Sequence, residues 1–133
     1  MVPRLLLDTH IVVRWLVDDR RLSRDQRRVL ERAVRRAEPV GLSAITLVEI
    51  AVLTGGTKAA LKTSLAGFIE DLQANPIFHV FPLTYEIALE VASLGVLKDP
   101  ADLTIVATAR VHRLQLVSSD LRIIQSKLAQ VVE

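Results

Sequence analysis

Arg4-Leu5-Leu6-Leu7-Asp8-Thr9-His10-Ile11-Val12-Val13-Arg14-Trp15-Leu16-Val17 is the stretch that decides the fold, through the point at which its periodicity changes. Residues 4–8 carry an unbroken apolar run of strand length with Pro3 just upstream, the pattern of a strand buried on both faces. After Asp8 the spacing shifts: Ile11, Val12, Trp15 and Leu16 share one face at helical period, which predicts a helix over 10–17 with Thr9 as its cap.

Working outward, the same alternation recurs along the chain. Ser23 caps an Arg-rich helix that reaches Ala37 and is stopped by Pro39. Val40-Gly41-Leu42-Ser43 reads as a second strand, and Ser43 caps a helix through Leu53 that Gly55-Gly56 ends. Leu61, Leu65, Phe68, Ile69 and Leu72 predict one helix over 57–73, broken by Asn75-Pro76. Ile77–Leu83 is a strand, and Thr84 opens a helix through Ser93. Asp99 and Pro100 start a helix that ends at Val111. Leu114–Val117 is a strand, Ser119-Asp120 opens a short helix, and 130–133 form a last edge strand. Strands separated by helices predict an α/β domain over 1–133, a three-layer α/β/α sandwich with a mainly parallel central sheet.

Composition narrows the chemistry. With 133 residues, half of them hydrophobic, the chain is long enough to bury a real core. One Trp, one Tyr and three Phe leave little material for a base-stacking platform. The absence of cysteine excludes disulfides, thiolate nucleophiles and cysteine-containing zinc sites, and fits a reducing cytoplasm. Residues 1–7 are too short an apolar run for a signal peptide, and no run approaches the ~20 residues of a membrane span. A cytoplasmic protein without membrane association is expected. Net charge is only +2, yet Arg20, Arg21, Arg24, Arg27, Arg28, Arg32, Arg35 and Arg36 crowd one segment against Asp25 and Glu31. That segment reads equally as a solvated helix face or as a surface for phosphates or an acidic partner.

Four acids stand in apolar company. Asp8 follows Leu5-Leu6-Leu7, and Glu49 is the only charged residue between Gly41 and Gly55. Asp102 precedes Leu103–Ala109, and Asp120 follows Leu114–Val117 and two serines. Taken singly, Asp8, Asp99, Asp102 and Asp120 are accounted for as helix-start acids, which bond free amides and complement the helix dipole. Glu49 is not: it lies six residues beyond Ser43, with no Lys or Arg three or four positions away. In parallel α/β sheets ligands bind beyond the carboxyl ends of the strands, and all four acids map to that edge. Gathered there without a cation they would repel one another, and Mg²⁺ or Mn²⁺ resolves the repulsion. A metal-dependent hydrolase is the expected class. His10, His79 and His112 match no zinc spacing, no nucleophile elbow is present, and no glycine loop follows a strand to hold phosphate.

These segments resemble PIN-domain ribonucleases of the VapC toxin type. Leu5–His10 with Trp15-Leu16 is similar to the family's opening motif, and Ser43–Ala51 to its second. Asp99-Pro100-Ala101-Asp102 with Ile105–Ala109 is similar to the third, and Leu116–Asp120 to the fourth. The resemblance runs in order over nearly the whole chain. It implies an Mg²⁺- or Mn²⁺-dependent endoribonuclease, commonly a homodimer, inhibited by a cognate antitoxin protein. By motif, Asp8, Glu49, Asp102 and Asp120 form the metal-binding and catalytic site. Asp99 is then auxiliary or structural, with Thr9 and Ser118 as polar supports. RNA is expected to be drawn in by Lys98, Arg110 and Arg113, chosen for their nearness to Asp102, or by the arginines of 20–36. Two other readings stay open: a non-catalytic PIN-like module for RNA or protein, and a metal-dependent DNA nuclease or phosphatase.

Overall fold

The computed structural model describes residues 2–55 and 58–133. Five strands, β1 (Leu5–Leu7), β2 (Val40–Ser43), β3 (Phe78–Phe81), β4 (Gln115–Val117) and β5 (Val131–Val132), form one sheet in the order β3-β2-β1-β4-β5. Every pairing is parallel, so the expected mainly parallel sheet is wholly parallel. The helices are α1 (Thr9–Val17), α2 (Arg24–Arg35), α3 (Ala44–Thr54), α4 (Lys58–Leu61), α5 (Leu65–Ala74), α6 (Tyr85–Ala92), α7 (Pro100–His112) and α8 (Leu121–Ser126).

The sheet divides the core in two, as an α/β/α sandwich requires. Leu5 and Leu7 point to one side with Val40 and Leu42, where Ile11 and Val12 of α1, Leu30 of α2, Ile50 of α3 and Phe68 of α5 cover them. Leu6 points to the other side with Leu116, beneath Ile87 of α6, Ile105 and Val106 of α7 and Ile123 of α8. The period-2 alternation within Leu5-Leu6-Leu7 thus feeds both layers, which is why all three residues are apolar. Among the described residues, no helix is long and apolar enough to cross a membrane.

Local chemistry explains where the elements depart from expectation. Asp8, not Thr9, caps α1: its carboxylate accepts from the Thr9 amide at 2.8 Å, which frees the Thr9 side chain for another partner. The single helix expected over 57–73 is two, because Ser64 turns to accept from the Gly67 amide and starts α5 afresh. Thr57 and Gly56, named in those expectations, lie outside the described residues. Gly55 ends α3 in the left-handed conformation, with φ of 57°. Strand β3 is shorter than predicted, and residues 19–21 form a 3₁₀ turn not anticipated from the sequence.

Gly41 has a steric role. A Cβ there would stand 2.5 Å from Cε2 of Phe81 and 3.0 Å from the Leu5 carbonyl oxygen. The Phe81 ring fills that space and packs on His112 at 4.4 Å and His79 at 4.6 Å, which places two of the three histidines in packing roles. Gly41→Val should therefore destabilise the protein by about 1–3 kcal/mol through overpacking. Urea unfolding that shows a lower midpoint at unchanged slope would bear this out.

Candidate metal centre at the carboxyl edge of the sheet

The strand order sets the location of the site. From central β1 the chain moves outward through β2 and β3 on one side, then returns to add β4 and β5 on the other. The connections after β1 and β4 leave on opposite faces, since α1 packs in one layer and α8 in the other. A crevice opens where they part, the usual ligand site of a parallel sheet.

Asp8 occupies the floor of that crevice with its side chain 5% exposed. Register delivers its partners: Leu7 is paired with Val117, so Asp8 lies beside Ser118. The Asp8 amide donates to the Val117 carbonyl at 3.0 Å, and Ser118 Oγ donates to Asp8 Oδ2 at 2.7 Å. Ser118 Oγ in turn accepts from the Asp120 amide at 3.1 Å. Its hydroxyl therefore links two of the four acids. Asp120 caps α8 through the Arg122 amide.

Glu49 is held from the opposite strand connection. Thr9 Oγ1 donates to Glu49 Oε1, and Thr9 Oγ1 also lies 3.1 Å from the hydroxyl of buried Thr46, one turn before Glu49 on α3. Asp99 caps α7 by accepting from the amides of Ala101 and Asp102 at 2.9 and 3.0 Å. Asp102 makes no reciprocal cap, and its side chain, 14% exposed, turns into the crevice. Glu49, Asp99 and Asp102 each offer a carboxylate oxygen, all within 4.8 Å of one another. Asp99, expected to be auxiliary, thus stands in the tightest acid cluster among the described residues. Asp8 and Asp120 border it closely enough to act on its charges.

The electrostatics reflect this crowding. Burial first, and then the charges of Asp99, Asp120, Asp8 and Glu49, push Asp102 up to about 6. Glu49 is raised by burial and by Asp8 and Asp99, against the Thr9 hydrogen bond. Nearby positive charge is sparse: Arg122 Nη2 lies 3.6 Å from Asp120 and 3.9 Å from Asp102, on a side chain 76% exposed. An all-carboxylate donor set with unbalanced negative charge fits a hard, oxygen-preferring divalent cation and does not fit a soft one.

Several supports were not legible in the sequence. His10 Nε2 accepts from the Ser119 amide at 2.9 Å while Nδ1 faces Asp8 Oδ2 at 3.6 Å. Because Nε2 accepts, it carries no proton, which leaves a neutral ring with its proton on Nδ1; burial lowers its pKa in the same sense, despite Asp8. Fully buried Gln26 donates to Ser119 Oγ at 2.9 Å and accepts from the Ser23 amide, tying α2 to the loop before Asp120. The Ser-x-x-Gln capping pattern at 23–26 was the one available signal for it. Of the three basic residues expected near Asp102, Lys98 is placed there and the two arginines are not. Lys98 lines a cavity of about 480 Å³ with Asp99, Asp102 and Arg122. Arg110 and Arg113 do not adjoin Asp102: eight and eleven residues along α7, they lie roughly 12 and 16 Å down the helix axis. There Arg110 is occupied by Glu90 at 2.6 Å and by the Leu128 carbonyl, and Arg113 caps the helix end. Adjacency in sequence ran along a helix directed away from the site.

The raised Asp102 gives a pH test. A folded-state pKa above the ordinary 3.8 means the folded protein holds this proton more tightly than the unfolded chain does. Metal-free protein therefore loses stability as pH rises from about 4 through 6, and Asp102→Asn should gain on wild type across that window. Urea unfolding in EDTA at pH 4.5 and 7.5 measures the difference; a gap that does not widen with pH contradicts the crowding.

The comparisons with known proteins agree with this fold. The family profile of the PIN domain matches residues 5–129. FitAcB from Neisseria gonorrhoeae superposes with a TM-score of 0.71 at 22% identity, covering 97% of this chain and 96% of that one. VapBC from Salmonella typhimurium, solved bound to DNA, gives 0.74 at 16% identity with 98% of each chain covered. A toxin-antitoxin complex from Klebsiella pneumoniae gives 0.66 at 23% identity, covering 97% and 96%. No curated protein matches the chain significantly. With a family match over residues 5–129 and a wholly parallel five-stranded sheet between helical layers, the chain belongs to the PIN-domain family.

Proposed function

We propose that this PIN domain is a metal-dependent endoribonuclease, the toxin of a toxin–antitoxin pair. The observation that carries the reading is the meeting of Glu49, Asp99 and Asp102 within 4.8 Å, beside Asp8 and Asp120, inside a PIN-family match. Asp8, Glu49, Asp102 and Asp120 would hold Mg²⁺ or Mn²⁺, with Asp99 as a further oxygen donor. Such an ion supplies, when bound, stabilisation of charge on a phosphate and a lower pKa for the attacking water.

The protein's own groups do the positioning. Ser118 and the Thr9 amide hold both oxygens of Asp8, so its carboxylate is oriented before any ligand arrives. Thr9 plays the same part for Glu49 through its hydroxyl. Neutral His10 adds no charge to the crevice and braces the Ser119 loop. No side chain need form a covalent bond to the substrate.

The toxin role is supported by the solved relatives, one of which is described as a toxin–antitoxin complex and two of which are VapBC proteins bound to DNA. A cognate antitoxin and a second copy of this chain are the partners we assign. The match over 5–129 supports one functional domain spanning 1–133. The cysteine-free composition suits a reducing cytoplasm.

Two outcomes are expected. Asp8→Asn should abolish Mg²⁺- or Mn²⁺-dependent cleavage of single-stranded RNA while the protein remains folded, and wild-type protein should leave DNA and a phosphomonoester intact. Ribonuclease activity that survives in a purified Asp8→Asn protein, or equal cleavage of DNA, would overturn the assignment. Mn²⁺ should also raise the melting temperature at pH 7.5 and do so less at pH 5, where Asp102 is largely protonated. A stabilisation independent of pH argues against carboxylate ligation.

A further inference from the structure

The acid cluster lies between two groups of basic side chains on opposite faces of the sheet. On the face covered by α1 and α3, a cavity of about 180 Å³ is lined by Thr9, His10, Arg14 and Arg21 among others. On the face covered by α8, the cavity of about 480 Å³ is lined by Lys98, Asp99, Asp102 and Arg122 among others. The two are joined through the site itself. Thr9 in the first donates to Glu49, whose carboxylate meets Asp99 and Asp102 of the second.

The charges in these cavities are available. Among the described residues, Arg14, Arg21 and Lys98 make no ion pair within 4.0 Å, and Arg122 has only the two long contacts to Asp102 and Asp120. Arg14 donates a 3.4 Å hydrogen bond to Ser119 Oγ, in the loop before Asp120. Other arginines of the 20–36 segment are placed elsewhere. Arg32 and Arg36 line a cavity with Arg4 and Gln115, which flank the amino ends of β1 and β4 at the opposite pole.

We infer that a single RNA strand crosses the carboxyl edge of the sheet from one face to the other, its phosphates held by Arg14 and Arg21 on one side of the acids and by Lys98 and Arg122 on the other. This rests on the endoribonuclease reading and names how the substrate is held. Two separated cation pairs with negative charge between them match a backbone whose flanking phosphates are bound while a central one lies over the acids. An acidic site needs such flanks, since otherwise its own field repels the substrate. With no Phe, Tyr or Trp among the lining residues of either cavity, and the His10 ring engaged with the Ser119 amide, the strand is held by its backbone and not by base stacking.

The experiment measures binding of a fluorescent 12-nucleotide single-stranded RNA to the Asp8→Asn protein with Mg²⁺ present, over a range of salt concentrations. Each phosphate contact contributes a slope of about −0.7 in log K against log salt for a single strand. Arg14→Gln with Arg21→Gln should flatten the slope by about 1.4, and Lys98→Gln with Arg122→Gln by a similar amount. Arg32→Gln with Arg36→Gln should leave it unchanged, and duplex RNA of the same sequence should bind more weakly. Melting curves establish that each variant is folded. Either site pair failing to move the slope, the distal pair moving it equally, or duplex binding as tightly would overturn the path. Failure of the parent protein to bind RNA at 50 mM salt would overturn the path and the ribonuclease reading together.

Discussion

The buried carboxylate of Asp8 is the constraint around which the rest is arranged. A charge this enclosed must be hydrogen-bonded or matched by a counter-charge. The structure meets the first need with the Thr9 amide and the Ser118 hydroxyl. Both follow from the sheet: β1 must end where α1 begins, and β4 must lie parallel to β1 in the register that brings Ser118 alongside. A slip of one residue would turn Leu6 and Leu116 into the wrong layers and part Asp8 from Ser118. Fold register and site geometry are therefore one constraint.

The second need, for counter-charge, is left largely unmet, as it would not be in a structural ion-pair network. Asp102 and Glu49 are both shifted upward, and among the described residues the one cation in contact with the cluster is a largely exposed Arg122 held at long range. Surface pairs of that kind contribute little. The fold tolerates this repulsion because the layers on either side of the sheet are continuous and apolar, with the acids confined to its rim. Stability is drawn from the core, and the rim is left with unbalanced negative charge, the condition under which perturbed carboxylates mark candidate sites.

The division of labour among polar groups follows from this. Ser118, Thr9, Thr46, His10, Ser119 and Gln26 are neutral, and they fix positions without cancelling the negative field. Positive charge that can receive a polyanion stands at the two flanks. The arrangement keeps a site attractive to cations at its centre and to phosphate at its edges, two demands that one uniform patch could not meet.

Much of this was legible in the residues themselves. The change from strand to helix period at Asp8, the caps at Ser23, Ser43, Thr84 and Asp99, and the isolation of Glu49 in an apolar helix are local signals, and local physics governs them. They determined an α/β chain with acids at strand ends. What lay beyond them was decided by contacts between residues distant in sequence. With Asp8 as the cap in place of Thr9, the Thr9 hydroxyl bonds Glu49, forty positions away, a contact no local pattern announces. Asp99 joined the cluster because α7 begins beside α3. Arg110 and Arg113 left it because a helix carries its C-terminal residues away from its first turn. Periodicity and capping act over a few residues and can be read from one chain. Which side chains share a crevice depends on strand order and register, and those are set only when the whole sheet has assembled.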